Sequence, residues 1–283
     1  MNKAIVSSQW LAEHLQHNPK LVVLDASIKF KIPGEMPKDL QGMIPGALAF
    51  DFEESFCDSE SDLPHMMPSQ QKFAELATGL GLHQDDTIVI YDNAGVYAAA
   101  RAWWMFKAMG HKPVYVLQGG LPSWKAAGYK VVEQHATPQP ALIKYQTTLI
   151  PNRFVDAQQV ANISKSKSAV IIDARASARF NGQQAETRVG LRSGCIPNSY
   201  NIPYTEFLEC GSLKNKDQLK PIIASISPDL LRPLVFSCGS GLTACILALG
   251  AYQCDYRNLS VYDGSWCEWG ANAELPIEVR EIP

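Results

Sequence analysis

The sequence predicts an α/β protein of two tandem domains, each a mainly parallel sheet flanked by helices on both faces. Two observations carry this expectation. Short β-branched runs alternate with helical stretches, the pattern of a parallel sheet covered by helices. The order of elements then occurs twice. Leu21-Val-Val-Leu-Asp25-Ala is matched by Ala169-Val-Ile-Ile-Asp173-Ala, 148 residues later. Gly42-Met-Ile-Pro45-Gly-Ala is matched by Gly194-Cys-Ile-Pro197-Asn-Ser at an offset of 152. Thr87-Ile-Val-Ile-Tyr-Asp92 and Pro233-Leu-Val-Phe-Ser-Cys238 stand 146 apart, and Val114-Tyr-Val-Leu-Gln-Gly119 and Leu259-Ser-Val-Tyr-Asp-Gly264 stand 145 apart. A drifting but consistent offset signals a duplicated domain with loop insertions, not a short-period solenoid.

Taken in order, residues 8–17 read as a helix. The run ending in Asp25 reads as a buried parallel strand, because apolar β-branched residues fill it without alternation. Residues 69–79 and 98–109 follow as helices around the strand that ends at Asp92. Trp103, Trp104 and Met105 lie at helical spacing and read as core. The Pro-bearing polar run Gln134-His-Ala-Thr-Pro138-Gln-Pro140 reads as linker. The predicted layout is a first domain over 1–136, a linker over 137–152 and a second domain over 153–283. In the second domain, residues 242–252 form the helix after the strand that ends at Cys238.

Composition bounds the function. With 283 residues the chain can bury substantial cores. A net charge of −3 implies no nucleic-acid or anionic-membrane surface. No apolar run approaches the roughly 18 residues of a membrane span. The start, Met1-Asn-Lys-Ala-Ile-Val-Ser-Ser-Gln-Trp10, is too short and polar for a signal-peptide core. Seven scattered cysteines include no Cys-x-x-Cys pair. That argues against a zinc ribbon and a disulfide framework, and for a reducing compartment such as the cytoplasm, with the mitochondrion also open. No metal or cofactor is expected.

The most informative stretch is Pro233-Leu-Val-Phe-Ser-Cys238-Gly-Ser-Gly241-Leu-Thr-Ala-Cys245. It reads as a buried strand, a glycine-rich turn opening on a cysteine, and an apolar helix. Backbone N–H groups and a helix N-terminus converge there, which favours negative charge. The plain alternative is a core cysteine at a strand end. The repeat weighs against it. The first copy has Asp92-Asn-Ala-Gly95 where the second has Cys238-Gly-Ser-Gly241. One copy keeps a nucleophile and the other does not, as expected of an enzyme whose other half became a scaffold.

These residues resemble two-domain rhodanese-type sulfurtransferases over nearly the whole chain. The loop from Cys238 to Ala244 is similar to that of 3-mercaptopyruvate sulfurtransferases, typically Cys-Gly-Ser-Gly-Val-Thr-Ala. Supporting matches are Arg101-Ala-Trp-Trp-Met-Phe106, Leu63-Pro-His-Met-Met-Pro68, Ile172-Asp-Ala-Arg175, Arg179-Phe180, Asn201-Ile-Pro203 and Tyr262-Asp-Gly-Ser-Trp266 followed by Glu268-Trp269. The departure is Gly194-Cys-Ile-Pro-Asn-Ser199, which alters a turn of the family's Gly-His-Ile-Pro-Gly-Ala motif.

The resemblance implies a fold of two rhodanese-like domains and a reaction that moves a sulfane sulfur. Cys238 attacks the donor sulfur and becomes a persulfide, and an acceptor removes the outer sulfur. The acceptor is a small thiol, a thioredoxin-type protein or cyanide. Gly239, Gly241, Leu242 and Thr243 belong to the loop that cradles the sulfur. Neutral Gly239 and Ser240 suit a singly charged donor such as 3-mercaptopyruvate, since thiosulfate-preferring relatives carry basic residues there. Arg179 and Arg188 are implied for the donor carboxylate, with Arg192 less favoured. The resemblance also selects a relay of Ser240, His65 and an acid near residues 51–54, for which Glu53 is the choice. Tyr97 is placed along the same mouth.

Three alternatives stand beside this reading. A cysteine phosphatase needs Cys-x5-Arg, but Ala244 follows Cys238 at six and no arginine comes before Arg257. A thiosulfate sulfurtransferase differs mainly in donor. A silent rhodanese-like binding module would usually lack the cysteine.

Overall fold

The computed structural model describes residues 4–280. The chain folds as two compact units. Of the described residues, the first comprises 4–60, 67–151 and 208–213, and the second comprises 61–66, 152–207 and 214–280.

The first unit is built from β1 (Ile5–Val6), α1 (Ser8–His17), β2 (Leu21–Asp25), β3 (Leu48–Ala49), α2 (Gln70–Gly79), β4 (Thr87–Tyr91), α3 (Tyr97–Ala108), β5 (Val114–Leu117) and α4 (Gly120–Ala126). Its strands pair in parallel in the order β1-β5-β4-β2-β3. Helix starts follow local chemistry. Ser7 and Ser69 cap α1 and α2 by accepting from Trp10 N at 3.1 Å and Lys72 N at 3.2 Å. Val6, Leu11, Val23, Val89, Leu117 and Trp124 form one core layer. Trp103, Trp104 and Met105 of α3 are fully buried, as helical spacing implies.

The second unit repeats this plan. It contains β6 (Phe154–Val155), α5 (Ala157–Ser166), β7 (Val170–Asp173), α6 (Ser177–Phe180), β8 (Ser199–Asn201) and a 3-10 turn at Tyr204–Phe207. After β9 (Leu208–Glu209) and β10 (Ser212–Leu213) come α7 (Lys216–Ala224), β11 (Leu234–Ser237), α8 (Ala244–Gln253), β12 (Leu259–Tyr262) and α9 (Ser265–Trp269). The parallel order is β6-β12-β11-β7-β8, position for position that of the first sheet. Val155, Val160, Ile171, Val235, Tyr262 and Trp266 form the matching core layer.

The altered Gly194–Ser199 turn keeps the backbone of its first copy. Asn198 has φ +60° where Gly46 has φ +79°. Asparagine tolerates the left-handed region, and its Nδ2 donates to Ser164 O at 3.1 Å.

Two features of the units differ from the layout read in the sequence. The segment read as a linker over 137–152 runs as part of the first unit up to Pro151. Its anchor is Tyr145, which is 2% exposed and hydrogen-bonds His111 Nδ1 at 2.6 Å. A buried aromatic with a satisfied hydroxyl docks a segment that composition alone marks as free. The domains are also not contiguous in sequence. Residues 208–213, the β9–β10 hairpin, belong to the first unit, where Gln118 Nε2 donates to Leu213 O at 2.6 Å.

Candidate active site

Strand β11 lies at the middle of its sheet, paired with β7 and β12. All four of its residues are buried. Cys238 follows at its C-terminal end, where parallel sheets place their ligand crevices, and is 2% exposed. Gly241 turns the loop with φ +73°, a conformation that strains residues with a Cβ. The loop feeds directly into α8, whose eight residues Ala244–Ala251 are buried. Cys245 is one of them, and its Sγ donates to Gly241 O at 3.2 Å. It is a core residue of the helix.

The start of α9 fixes the loop from one side. Trp266 N donates to Cys238 O at 3.0 Å and Cys267 N to Gly239 O at 2.8 Å. Cys238 N in turn donates to Ser265 Oγ at 3.2 Å. Two successive loop carbonyls are thereby turned toward α9. Ser265 adopts φ +48° to make this turn, matching Gly120 at φ +56° in the first unit.

The first unit shows what this loop design holds. Asp92 follows β4 as Cys238 follows β11. Its Oδ1 accepts from Ala94 N at 2.9 Å and Gly95 N at 2.7 Å, and its Oδ2 from Ala99 N at 2.9 Å. The corresponding positions in the second loop are Ser240, Gly241 and Cys245. Burial holds the Asp92 carboxyl up at about 6, against the opposing pull of those amides. The loop in this copy therefore wraps an acidic group with backbone donors.

Arg179 stands beside the Cys238 loop. Its Nη2 lies 3.7 Å from where a Cβ on Gly239 would be. Glu186 fixes it, accepting from Nε at 3.0 Å and from Nη2 on the same carboxylate oxygen. The other oxygen of Glu186 takes Arg175 Nη1 at 2.6 Å. Arg175 also binds Asp173 through Nη2 at 2.7 Å and lies 4.0 Å over the Trp266 ring. Asp173, Arg175 and Glu186 have side chains only 1% exposed. A buried ionic chain thus runs from the end of β7 to Arg179.

The remaining expected residues fall as follows. Arg188 is exposed, and its charge acts on the Cys267 thiol. Arg192 donates to Gly270 O at 3.1 Å and Trp269 O at 2.9 Å, so its guanidinium locks the end of α9. Ser240 and Gly239 are half-buried, whereas Gly241, Leu242 and Thr243 are buried. His65 has φ +62° and belongs to the 61–66 segment counted with the second unit. Glu53 and Tyr97 belong to the first unit. The Glu53 carboxylate accepts from Lys29 N at 3.1 Å, and the Tyr97 hydroxyl accepts from Met36 N at 3.0 Å. Sequence reasoning missed Glu186, the ion-pair role of Arg175 and the anchoring role of Ser265. Only the Asp-Gly-Ser-Trp motif offered a signal for the last.

Among the described residues no group of His, Cys, Asp or Glu could hold a metal ion. All seven cysteines are free thiols.

Comparison with known proteins places this geometry. The rhodanese-like domain family matches residues 7–127 and again 156–272. The chain is 38% identical to the 3-mercaptopyruvate sulfurtransferase of Escherichia coli (strain K12) over 278 residues, covering 96% of this chain and 97% of that protein. It is 39% identical to the thiosulfate sulfurtransferase of Rattus norvegicus over 286 residues, covering 98% and 95%. Among solved structures, the E. coli 3-mercaptopyruvate sulfotransferase SseA superposes with a TM-score of 0.80 at 34% identity, covering 93% of this chain and 99% of that one.

Proposed function

The chain belongs to the rhodanese-like domain family, with two copies of that domain, and from that premise we propose that it moves sulfur from 3-mercaptopyruvate through a persulfide on Cys238. The observation that supports this best is the pair of loops. One copy wraps a carboxylate in three backbone N–H groups. The other carries a cysteine at the same station, with Ser240 N and Gly241 N in the places of Ala94 N and Gly95 N to face an anionic sulfur, while Cys245 N donates to Leu242 O at 3.1 Å.

The chemistry proceeds in two steps. The Cys238 thiolate attacks the donor sulfur, and the bond from that sulfur to carbon breaks. The electron pair leaves with the carbon as the enolate of pyruvate, which takes up the proton that the donor thiol loses. Cys238 then carries the outer sulfur. An acceptor thiol attacks that sulfur, departs as a persulfide and regenerates the thiolate; cyanide departs as thiocyanate.

Arg179, oriented by Glu186 beside Gly239, is the group for the donor carboxylate, and exposed Arg188 is its companion. Gly239, Gly241, Leu242 and Thr243 form the cradle. Ser240 with His65 carries the thiol proton toward the leaving carbon. Glu53 as the acid of that relay, and Tyr97 along the mouth, are the outer members of this reading. No helix among the described residues is long and apolar enough to cross a membrane, and free thiols throughout suit a reducing compartment, for which the cytoplasm is proposed. The acceptor is proposed to be a small thiol or a thioredoxin-type protein.

Thiosulfate is the second donor to weigh, because its sulfurtransferases are similar to this chain to the same degree. Steady-state kinetics on both donors decides. A higher kcat/KM on 3-mercaptopyruvate is expected, and the Cys238→Ser variant should keep its circular dichroism spectrum and lose turnover on both. Substantial turnover by that variant would remove Cys238 from the reaction. A ratio favouring thiosulfate would reassign the donor.

A further inference from the structure

Only the second copy sets another cysteine against its loop. The first turn of α9 is hydrogen-bonded to the nucleophile loop at two successive residues, Trp266 N to Cys238 O and Cys267 N to Gly239 O. In the first unit Leu121 N donates to Asp92 O at 2.9 Å, so Leu121 corresponds to Trp266. The residue corresponding to Cys267 is then Pro122, which has neither an amide hydrogen nor a sulfur. Cys267 therefore lies on the turn of α9 whose amides bond the nucleophile loop. Its thiol responds to the charges of Arg188, Cys238, Glu186 and Arg179 together. The residue is 7% exposed. Burial raises its pKa, with Arg188 and Arg179 pulling the other way. At rest it is therefore a protonated, weakly nucleophilic thiol.

We propose that Cys267 is an internal resolving thiol, which displaces hydrosulfide from a Cys238 persulfide that meets no acceptor and closes a Cys238–Cys267 disulfide. The proposal rests on the Cys238 persulfide argued above. Cys267 Sγ loses its proton and attacks Cys238 Sγ. The bond from Cys238 Sγ to the outer sulfur breaks, and the outer sulfur leaves with both electrons as hydrosulfide. Two cysteine sulfurs are oxidised and the sulfane sulfur is reduced, so no external oxidant enters. A disulfide needs Cα atoms about 4.4–6.8 Å apart, and the bonds at Cys238 O and Cys267 N set the two segments side by side. Desolvation of Cys267 keeps the step slow, so an arriving acceptor takes the sulfur first. The enzyme gains a second activity, self-limiting release of hydrosulfide, that a dithiol reductant resets.

The test loads the full chain with 3-mercaptopyruvate without acceptor, quenches samples over time with an alkylating agent, and reads sulfide and peptide masses. An adduct of one sulfur, about 32 Da, should form on Cys238 and give way to a peptide joining residues 238 and 267, with about one sulfide released per chain. In Cys267→Ser and Cys267→Val the adduct should outlast that of wild type by at least about ten-fold. Appearance of the adduct in each variant reports that its loop is folded. If a variant fails to load, the wild-type cross-link decides alone. No adduct on wild type would overturn the persulfide reading itself. An adduct that forms and yields no cross-link, decays equally in all three proteins, or migrates to Cys267 would overturn the resolving role.

Discussion

Glu186 holds Arg179 by both Nε and Nη2 on one carboxylate oxygen. The guanidinium that flanks the nucleophile loop is therefore aimed by a buried acid, itself tied through Arg175 to the strand end at Asp173.

Arg179→Ala should lower kcat/KM for 3-mercaptopyruvate by about 10- to 100-fold, the cost of a lost charge-assisted contact. Glu186→Gln should act in the same direction, mainly through KM, because the arginine remains but is no longer held. It should also destabilise the chain by about 3–5 kcal/mol, since Arg175 loses one of two buried ionic partners. Denaturant melts and kinetics on the same preparation separate the two effects. Unchanged KM in both variants would show that the carboxylate is bound elsewhere.

Donor preference should follow charge at Ser240. Arg179 already stands against Gly239, so a second cation favours a dianion over a monoanion. Ser240→Lys should move the kcat/KM ratio toward thiosulfate by about ten-fold, and the ratio is the quantity to follow. A soluble variant that keeps the wild-type ratio would sink the loop-charge argument.

His65→Ala should cost about 10²–10⁴ in rate on 3-mercaptopyruvate, the usual worth of general acid–base help. Thiosulfate has no proton to lose, so the defect on it should be smaller. Equal losses on both donors would make His65 a structural residue.

The buried carboxyl of Asp92 gives a pH signature of opposite sign to a salt-bridged acid. Its folded pKa of about 6 lies above the ordinary carboxylate value. The folded state thus holds the extra proton between about pH 4 and about pH 6, and stability falls as pH rises through that window. Relative to Asp92→Asn, which does not titrate, wild type should lose on the order of 3 kcal/mol from about pH 4 to about pH 7. Unfolding curves whose difference is flat with pH would contradict the assignment.

The sequence made the fold legible where local chemistry and burial agree. The runs ending at Asp25, Asp92 and Asp173 are strands because their apolar β-branched residues fit only a doubly covered sheet. Helix α1 spans residues 8–17, the range its pattern predicts, and α3 begins one residue earlier, at Tyr97. Cys238 was legible because the duplicated chain supplies its own comparison at Asp92. Glu186 was not, since it sits in the polar run Gln183-Gln184-Ala185-Glu186, which has no periodicity to point it inward. Its partners are set by how the chain folds back after α6, which spacing does not encode. The docking of Tyr145 was hidden in the same way, by a proline-bearing composition that describes a flexible segment equally well.

The self-satisfied Asp92 loop makes the two copies respond differently to turnover. A tethered anion keeps the first loop in one arrangement whatever the substrate level. The second loop faces its charge on Cys238 Sγ in the thiolate and one atom further out in the persulfide, so its amides change partners as the cycle turns. Protection of residues 239–241 against hydrogen exchange then becomes a gauge of sulfur loading, while residues 93–99 remain a constant reference inside the same molecule.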